Sequence, residues 1–146
     1  MLVKRAGLDD LSAVAPLFDA YREFYEQSDL VAARAFLADR LRHEESVIFI
    51  AVAEDGHALG FTQLYPSFSS VSLKRLWILN DLFVAADARR QGVARRLLER
   101  AREWAVETDA KGLILTTAVT NRPAQALYES CGWRLDDEFK HYQLLF

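Results

Sequence analysis

The chain has 146 residues, with 18 Lys and Arg against 21 Asp and Glu, so its formal net charge is −3. Half of it is apolar and 27% is charged, which fits one globular domain over residues 1–146 and excludes a disordered chain. The acidic balance argues against non-specific nucleic-acid binding, although 14 of the 18 basic residues are arginine and they are unevenly spread.

Met1-Leu2-Val3-Lys4-Arg5 carries no apolar leader, and Val3–Ala6 predicts a short strand ending at Gly7. Asp9 is placed to N-cap a helix whose apolar face is Leu11, Val14, Phe18, Tyr21 and Tyr25. A second helix is predicted from Leu30 to Glu44, with Phe36, Leu37 and Leu41 on one side. Aromatic residues at this spacing, such as Tyr21, Phe24 and Tyr25, serve as core or as a pocket wall.

The period then changes. Val47–Ala53 reads as a buried strand, too short for the ~20 residues that span a bilayer, so no membrane partner is expected. Asp55-Gly56 is a type I′ hairpin signal, and a return strand is predicted from His57 to Tyr65, broken at Pro66-Ser67. A third strand is predicted over Val71–Ala85. Its second half is apolar except for Asn80-Asp81, and such a break in a buried strand is costly unless it is hydrogen-bonded or functional.

Gln91 to Thr108 predicts a helix with Val93, Leu97, Leu98, Ala101, Trp104 and Ala105 as its apolar stripe. Lys111-Gly112 ends it, and Leu113–Val119 predicts the next strand, completing a strand–helix–strand unit. Thr120-Asn121-Arg122-Pro123 opens a short helix to Glu129, with Gly132 as its C′ residue. Phe139–Phe146 is apolar enough to close the sheet as a final strand. The one cysteine, Cys131, makes neither an internal disulfide nor a CxxC metal site, which points to a reducing, cytoplasmic setting without a metal.

The informative junction is the turn after the third strand. Free amides at a helix start bind phosphate, and Gly92 and Ala94 leave room for a diphosphate to approach the backbone. Arg89, Arg90, Arg95 and Arg96 add positive charge. No Gly-Lys-Ser/Thr and no GxGxxG is present, and the same pattern also fits a solvated arginine-rich helix start.

Two motifs decide between these readings. Arg89-Arg90-Gln91-Gly92-Val93-Ala94 has the form Gln/Arg-x-x-Gly-x-Gly/Ala, and Asn121 to Trp133 has the form Asn-x-x-Ala-x-x-x-Tyr-x-x-x-Gly-Phe/Trp. With them, the segment from Leu76 to Trp133 resembles the GNAT superfamily of acetyl-coenzyme A-dependent N-acetyltransferases. The resemblance implies an α+β fold: a central, mostly antiparallel twisted sheet with one parallel, splayed pair, flanked by about four helices. It further implies acetyl-coenzyme A as cosubstrate, its pantetheine along Leu82, Phe83 and Val84. Its diphosphate would lie on the turn of Arg89, Arg90, Gln91, Gly92, Val93, Ala94 and Arg95. Asn121, Ala124 and Tyr128 would complete the coenzyme site.

In the family, the position of Tyr128 supplies the acid that protonates the leaving thiolate. Asp81 and Asn80 are the candidates for deprotonating the amine. Asn80 stands where diamine acetyltransferases, a related branch, have glutamate, which weakens a polyamine assignment. His57 and His141 are candidates by residue type alone. Tyr65–Ser70 and Tyr21–Leu30, with Glu23, Glu26 and Asp29, would wall an acceptor pocket suited to a small amine. The segment Val71–Leu82 and the tail also resemble a branch with yeast histone, polyamine and D-amino-acid acetyltransferases, whose members often pair through their C-terminal strands, so a homodimer is expected. A non-catalytic acyl-coenzyme A sensor, or an enzyme acting on protein lysines or N-termini, is the alternative function.

Overall fold

The computed structural model describes all residues from Met1 to Phe146, as two compact units, Met1–Thr116 and Thr117–Phe146. The first unit is a five-stranded sheet with strands in chain order: β1 (Leu2–Ala6), β2 (Val47–Val52), β3 (Ala58–Ser69), β4 (Lys74–Val84) and β5 (Gly112–Ile114). The first four pair antiparallel, and β4 and β5 are parallel. The mostly antiparallel sheet with one parallel pair is therefore present. No helix is long and apolar enough to cross a membrane.

One face carries α1 (Leu11–Glu23) and α2 (Leu30–Arg42). Phe18, Leu37 and Ala33 pack there with Ile48, Ile50 and Phe61. α1 is entered through a short 3-10 turn, so its N-cap is Asp10 and not the expected Asp9. The Asp10 carboxylate accepts from the Gly7 amide at 2.8 Å. Asp29 caps α2 by accepting from the Ala32 amide. The opposite face carries α3 (Val93–Glu107), whose buried Leu97, Leu98, Ala101 and Ala105 form the predicted stripe. Trp104 on α3 packs against Phe49 and Trp77, and the Trp77 indole donates to Thr108 Oγ1 at 2.9 Å.

Three further predicted features of this unit change. β3 does not break at Pro66 but continues to Ser69, with Pro66 opposite Trp77. The reason is that β2 ends at Val47 opposite Leu64, so beyond that point β3 has one neighbour and the missing proline N–H leaves no ladder bond unmade. At the hairpin, Gly56 has φ 91° but Asp55 is not in the left-handed region, and the Gly56 amide donates to Ala53 O. The loop is thus a turn closed by a glycine bulge in place of type I′, with the register shifting between Ala51 and Val52. β5 is three residues long and not the full Leu113–Val119.

The second unit contains α4 (Arg122–Ser130), with Pro123 in its first turn. The expected C-terminal strand over Phe139–Phe146 is absent. The Asp136 carboxylate takes the amides of Glu138 and Phe139 into a turn. Beyond it Phe139, Tyr142, Leu144 and Leu145 are exposed and no ladder registers the backbone.

Gly60 is required by close approach. A Cβ there would stand 2.6 Å from the Phe83 carbonyl oxygen and 3.3 Å from Val93 Cγ1. Gly60→Ala is expected to lower unfolding stability by about 1–3 kcal/mol, as overpacking does. Gly112→Ala, which meets nothing within 4 Å, is the neutral control. Thermal or denaturant unfolding of the two variants reads the difference.

Candidate active site

The site is built on β4, and the bulge within β4 decides its geometry. Gln63 pairs with Asp81 and the next residue, Leu64, pairs with Leu79, so Asn80 is an extra residue without a partner on β3. Strand side chains alternate between faces, and one inserted residue reverses the alternation beyond it. Trp77, before the bulge, lies on the α3 face against Trp104. Phe83, after it, lies on the α1 face against Tyr21 and Phe24. Without the bulge, Asp81 would share the face of Trp77. With it, Asp81 is turned beneath α1 and Asn80 is left exposed.

Asp81 is 4% exposed and sits in a polar cluster inside an apolar layer. Gln63 Nε2 donates to its Oδ2 at 2.8 Å, and Asn80 Nδ2 donates to its Oδ1 at 3.3 Å. The Tyr21 hydroxyl reaches the same carboxylate. The Asp81 carbonyl accepts from the buried Thr62 hydroxyl at 2.8 Å. Burial pushes the Asp81 carboxyl up, and the hydrogen bonds from Gln63, Asn80 and Tyr21 only partly oppose this. The neighbouring phenols respond to the same burial and to the Asp81 charge: Tyr21 is raised strongly, and Tyr65 is pushed up to about 12 against the opposing pull of Arg40.

Backbone hydrogen bonding sets the second part. β5 pairs with β4 only at Leu76, Trp77 and Ile78. From Leu79 to Val84, β4 has β3 on one side and an open edge on the other. The Phe83 carbonyl is directed at Gly60 and the Ala85 amide donates to Leu59 O, so alternation turns the backbone groups of Leu82 and Val84 to the open edge.

That edge runs into the turn before α3. Arg90 is left-handed at φ 62°, and Gly92, the N-cap, at φ 77°. The first α-helical bond from this cap is Arg96 N to Gly92 O, so the amides of Val93, Ala94 and Arg95 precede the intrahelical ladder. A Cβ on Gly92 would meet nothing within 4 Å, so glycine is favoured there by its left-handed φ and not by lack of space. Arg89 donates through Nε to Val84 O at 3.3 Å and lies over the Phe24 ring, while Gln91 Nε2 donates to Asp87 O. Arg96 is turned away from this approach: it faces Glu99 and Glu103 on α3 and is engaged there.

In the second unit, the Asn121 side chain accepts from the Ala124 amide, so Asn121 is the N-cap of α4. Its C-terminus explains the spacing Tyr-x-x-x-Gly-Trp. Gly132, at φ 91°, donates to Glu129 O, and the Trp133 amide donates to Tyr128 O. This is a Schellman closure, and the Tyr128 and Trp133 rings meet across it at 6.1 Å. The motif therefore fixes the Tyr128 ring by local packing. His57 pairs with Asp55 in the hairpin turn and His141 with Asp136, both exposed and neither part of the Asp81 cluster. Glu23 and Glu26 are exposed and Asp29 is used as a cap. Gln63 was not singled out by sequence reasoning. The signal available was a second pair of adjacent polar residues, Thr62-Gln63, in an otherwise apolar strand.

Known proteins resemble this chain in sequence and fold. Residues 14–133 match the Acetyltransferase (GNAT) family. The chain is 53% identical to an uncharacterized N-acetyltransferase of Bacillus subtilis (strain 168), over 99% of this chain and 97% of the relative. It is 33% identical to a probable acetyltransferase of Haemophilus influenzae, over 92% and 91% of the two chains. Its fold superposes on the crystal structure of a probable acetyltransferase with a TM-score of 0.96 at 52% identity, covering 100% of this chain and 98% of the other. The open β4 edge, the glycine-capped turn and both sequence motifs thus lie in a chain that belongs to the GNAT family of acetyltransferases.

Proposed function

We propose that the protein transfers an acetyl group from acetyl-coenzyme A to a primary amine of a small molecule, such as an amino acid or a polyamine, by direct attack on the thioester. One observation carries the reading: β4 leaves its edge without a strand partner from Leu79 to Val84, leads through the left-handed turn of Arg90 and Gly92 into the start of α3, and holds a buried carboxylate, Asp81. The whole chain is taken as one acetyltransferase domain, in keeping with relatives matched nearly end to end.

The residues present fit the coenzyme. Leu82 offers its backbone groups and Val84 its amide to pantetheine, the Val84 carbonyl being taken by Arg89, and Phe83 contributes its ring to the wall shared with Tyr21 and Phe24. The amides of Val93, Ala94 and Arg95 suit a diphosphate, with Arg89, Arg90 and Gln91 around the turn. Asn121, Ala124 and Tyr128 complete the set. The coenzyme supplies the acetyl thioester.

Two proton transfers fall to the chain. Asp81 takes the proton of the incoming ammonium, through the side where Asn80 is exposed, and frees the nitrogen lone pair. The new N–C bond forms as the C–S bond breaks, Tyr128 gives its hydroxyl proton to the departing sulfur, and the second proton, shed by the acylated nitrogen, passes through solvent to restore the Tyr128 phenol. A raised carboxyl pKa brings Asp81 nearer to the amine it must deprotonate. Tyr21, Tyr65 and Phe83 give the acceptor aromatic walls beside a negative charge, which favours a compact cationic amine over an anionic one.

The test is thiol release from acetyl-coenzyme A against amino acids, polyamines, aminoglycosides and peptides. Saturable turnover with a small amine is expected. Coenzyme binding without turnover across the panel supports a sensor, and turnover with peptides alone supports a protein-modifying enzyme. Gly92→Glu is expected to weaken acetyl-coenzyme A binding by more than about tenfold, through loss of a left-handed glycine and repulsion of phosphate. Calorimetric titration reads it, with the melting temperature as a control on folding. Tyr128→Phe should lower kcat by about 10²-fold or more with little change in coenzyme affinity; an unchanged single-turnover rate contradicts the acid role.

Asp81→Asn should abolish most turnover yet raise the melting temperature at pH 7. The folded carboxyl is raised above its ordinary value of 3.8, so the native state loses stability as pH rises from there through the folded pKa. The amide escapes that loss. Its advantage should shrink on acidification through the same window, which melting curves between about pH 3 and pH 8 would follow.

A further inference from the structure

Gln63 is fully buried on β3, opposite Asp81, and its two amide atoms have unequal fates. Nε2 donates to Asp81 Oδ2 at 2.8 Å. Oε1 is buried with no hydrogen-bond partner. An unsatisfied buried carbonyl is expensive, and Phe61, two residues away on the same face of β3, is a buried apolar residue. A methionine or leucine would spare that cost but would leave the Asp81 carboxylate without its closest donor. The amide nevertheless has a capacity that no apolar side chain shares, because by turning over it changes from donor to acceptor.

We propose that Gln63 is the positioning residue of Asp81, donating to the carboxylate while Asp81 is ionised and offering Oε1 to the carboxyl proton once Asp81 has taken one. The inference rests on the reading of Asp81 as the group that deprotonates the amine. In the resting state the carboxylate needs donors, and Gln63 supplies a close one at 2.8 Å; Asn80 stands at 3.3 Å, on the other oxygen. Once the proton taken from the amine rests on Oδ2, the oxygen that faces Gln63, that oxygen is itself a donor and Gln63 Nε2 no longer suits it. Rotation of the amide brings the partnerless Oε1 to the new O–H, so both protonation states keep a buried hydrogen bond. The proton returns to solvent past Asn80 and the amide turns back. The titratable groups that face the carboxylate are the phenols Tyr21 on α1 and Tyr65 on β3.

The experiment is the pH dependence of kcat/KM with the amine found by the thiol-release panel, for the wild type, Gln63→Met, Gln63→Glu and Asp81→Asn. Methionine keeps the volume and removes both amide functions, and should move the acidic limb up by about one to two pH units, the worth of a hydrogen bond to a charged group. Glutamate is nearly isosteric but sets a second carboxylate against the first, and should move it further. A structural role alone predicts the reverse order, because glutamate is the smaller change in shape. Affinity for acetyl-coenzyme A should stay within about twofold of wild type throughout, as Gln63 lies outside the coenzyme residues.

A second measurement needs no variant at Gln63. In the wild type, the side-chain amide resonances of Gln63 should titrate in step with the acidic limb, and in Asp81→Asn that titration should vanish. Loss of the limb in Asp81→Asn with no shift in Gln63→Met, and pH-independent Gln63 resonances, would overturn the inference while leaving Asp81 as the base. An acidic limb that survives in Asp81→Asn would overturn the reading of Asp81 itself.

Discussion

The extra residue in β4 is the constraint on which the rest of the site depends. Asn80 has no partner on β3, and its insertion moves every later side chain of the strand to the other face. Trp77 and Leu79 belong to the layer under α3, while Asp81 and Phe83 belong to the layer under α1. A regular strand would carry the carboxylate into the tryptophan-rich core beneath α3, away from Tyr21. The bulge places it opposite Gln63, where donors exist. The same irregularity falls just beyond Ile78, the last residue of β4 paired with β5. One local defect therefore coincides with both an inward-turned charge and an unpaired backbone edge.

These two consequences are costly in ordinary folding terms, and each has a local remedy. A buried carboxylate is tolerated because three side chains hydrogen-bond to it, yet its ionisation still weakens the native state. An open strand edge is a liability unless covered, and here the Arg89 side chain occupies the Val84 carbonyl. The helix start beyond it turns amides outward, in a turn that uses left-handed backbone at both Arg90 and Gly92. Hydrogen-bonding capacity along one strand edge and one turn fits a long, polar ligand with a phosphate end. Charge follows the same logic at larger scale, since a chain of net charge −3 concentrates Arg89, Arg90 and Arg95 around a single turn.

Much of this was legible in the sequence because it rests on local rules. The glycine at 92, the capping asparagine at 121 and the glycine at 132 each mark a backbone feature that the structure contains. The pair Asn80-Asp81 marked a break in a buried strand, but nothing local reveals that Asn80 is the inserted residue; register is a property of two strands together. Gln63 escaped notice for the same reason, as its meaning comes from the residue across the ladder. Pro66 was misleading because its tolerance depends on where β2 ends, and the apolar tail because hydrophobicity alone does not supply a pairing edge. Arg96 counted as part of the phosphate turn until its engagement with Glu99 and Glu103 was visible.

The central claim is that the unpaired edge of β4 and the start of α3 together form the coenzyme cradle. Residue-resolved amide hydrogen exchange, with and without saturating acetyl-coenzyme A, tests it most directly. The account predicts slowed exchange at the amides of Leu82 and Val84 and at Val93, Ala94 and Arg95, with the β1–β2 ladder unchanged. Unaltered exchange at those positions in a protein saturated with coenzyme would contradict it.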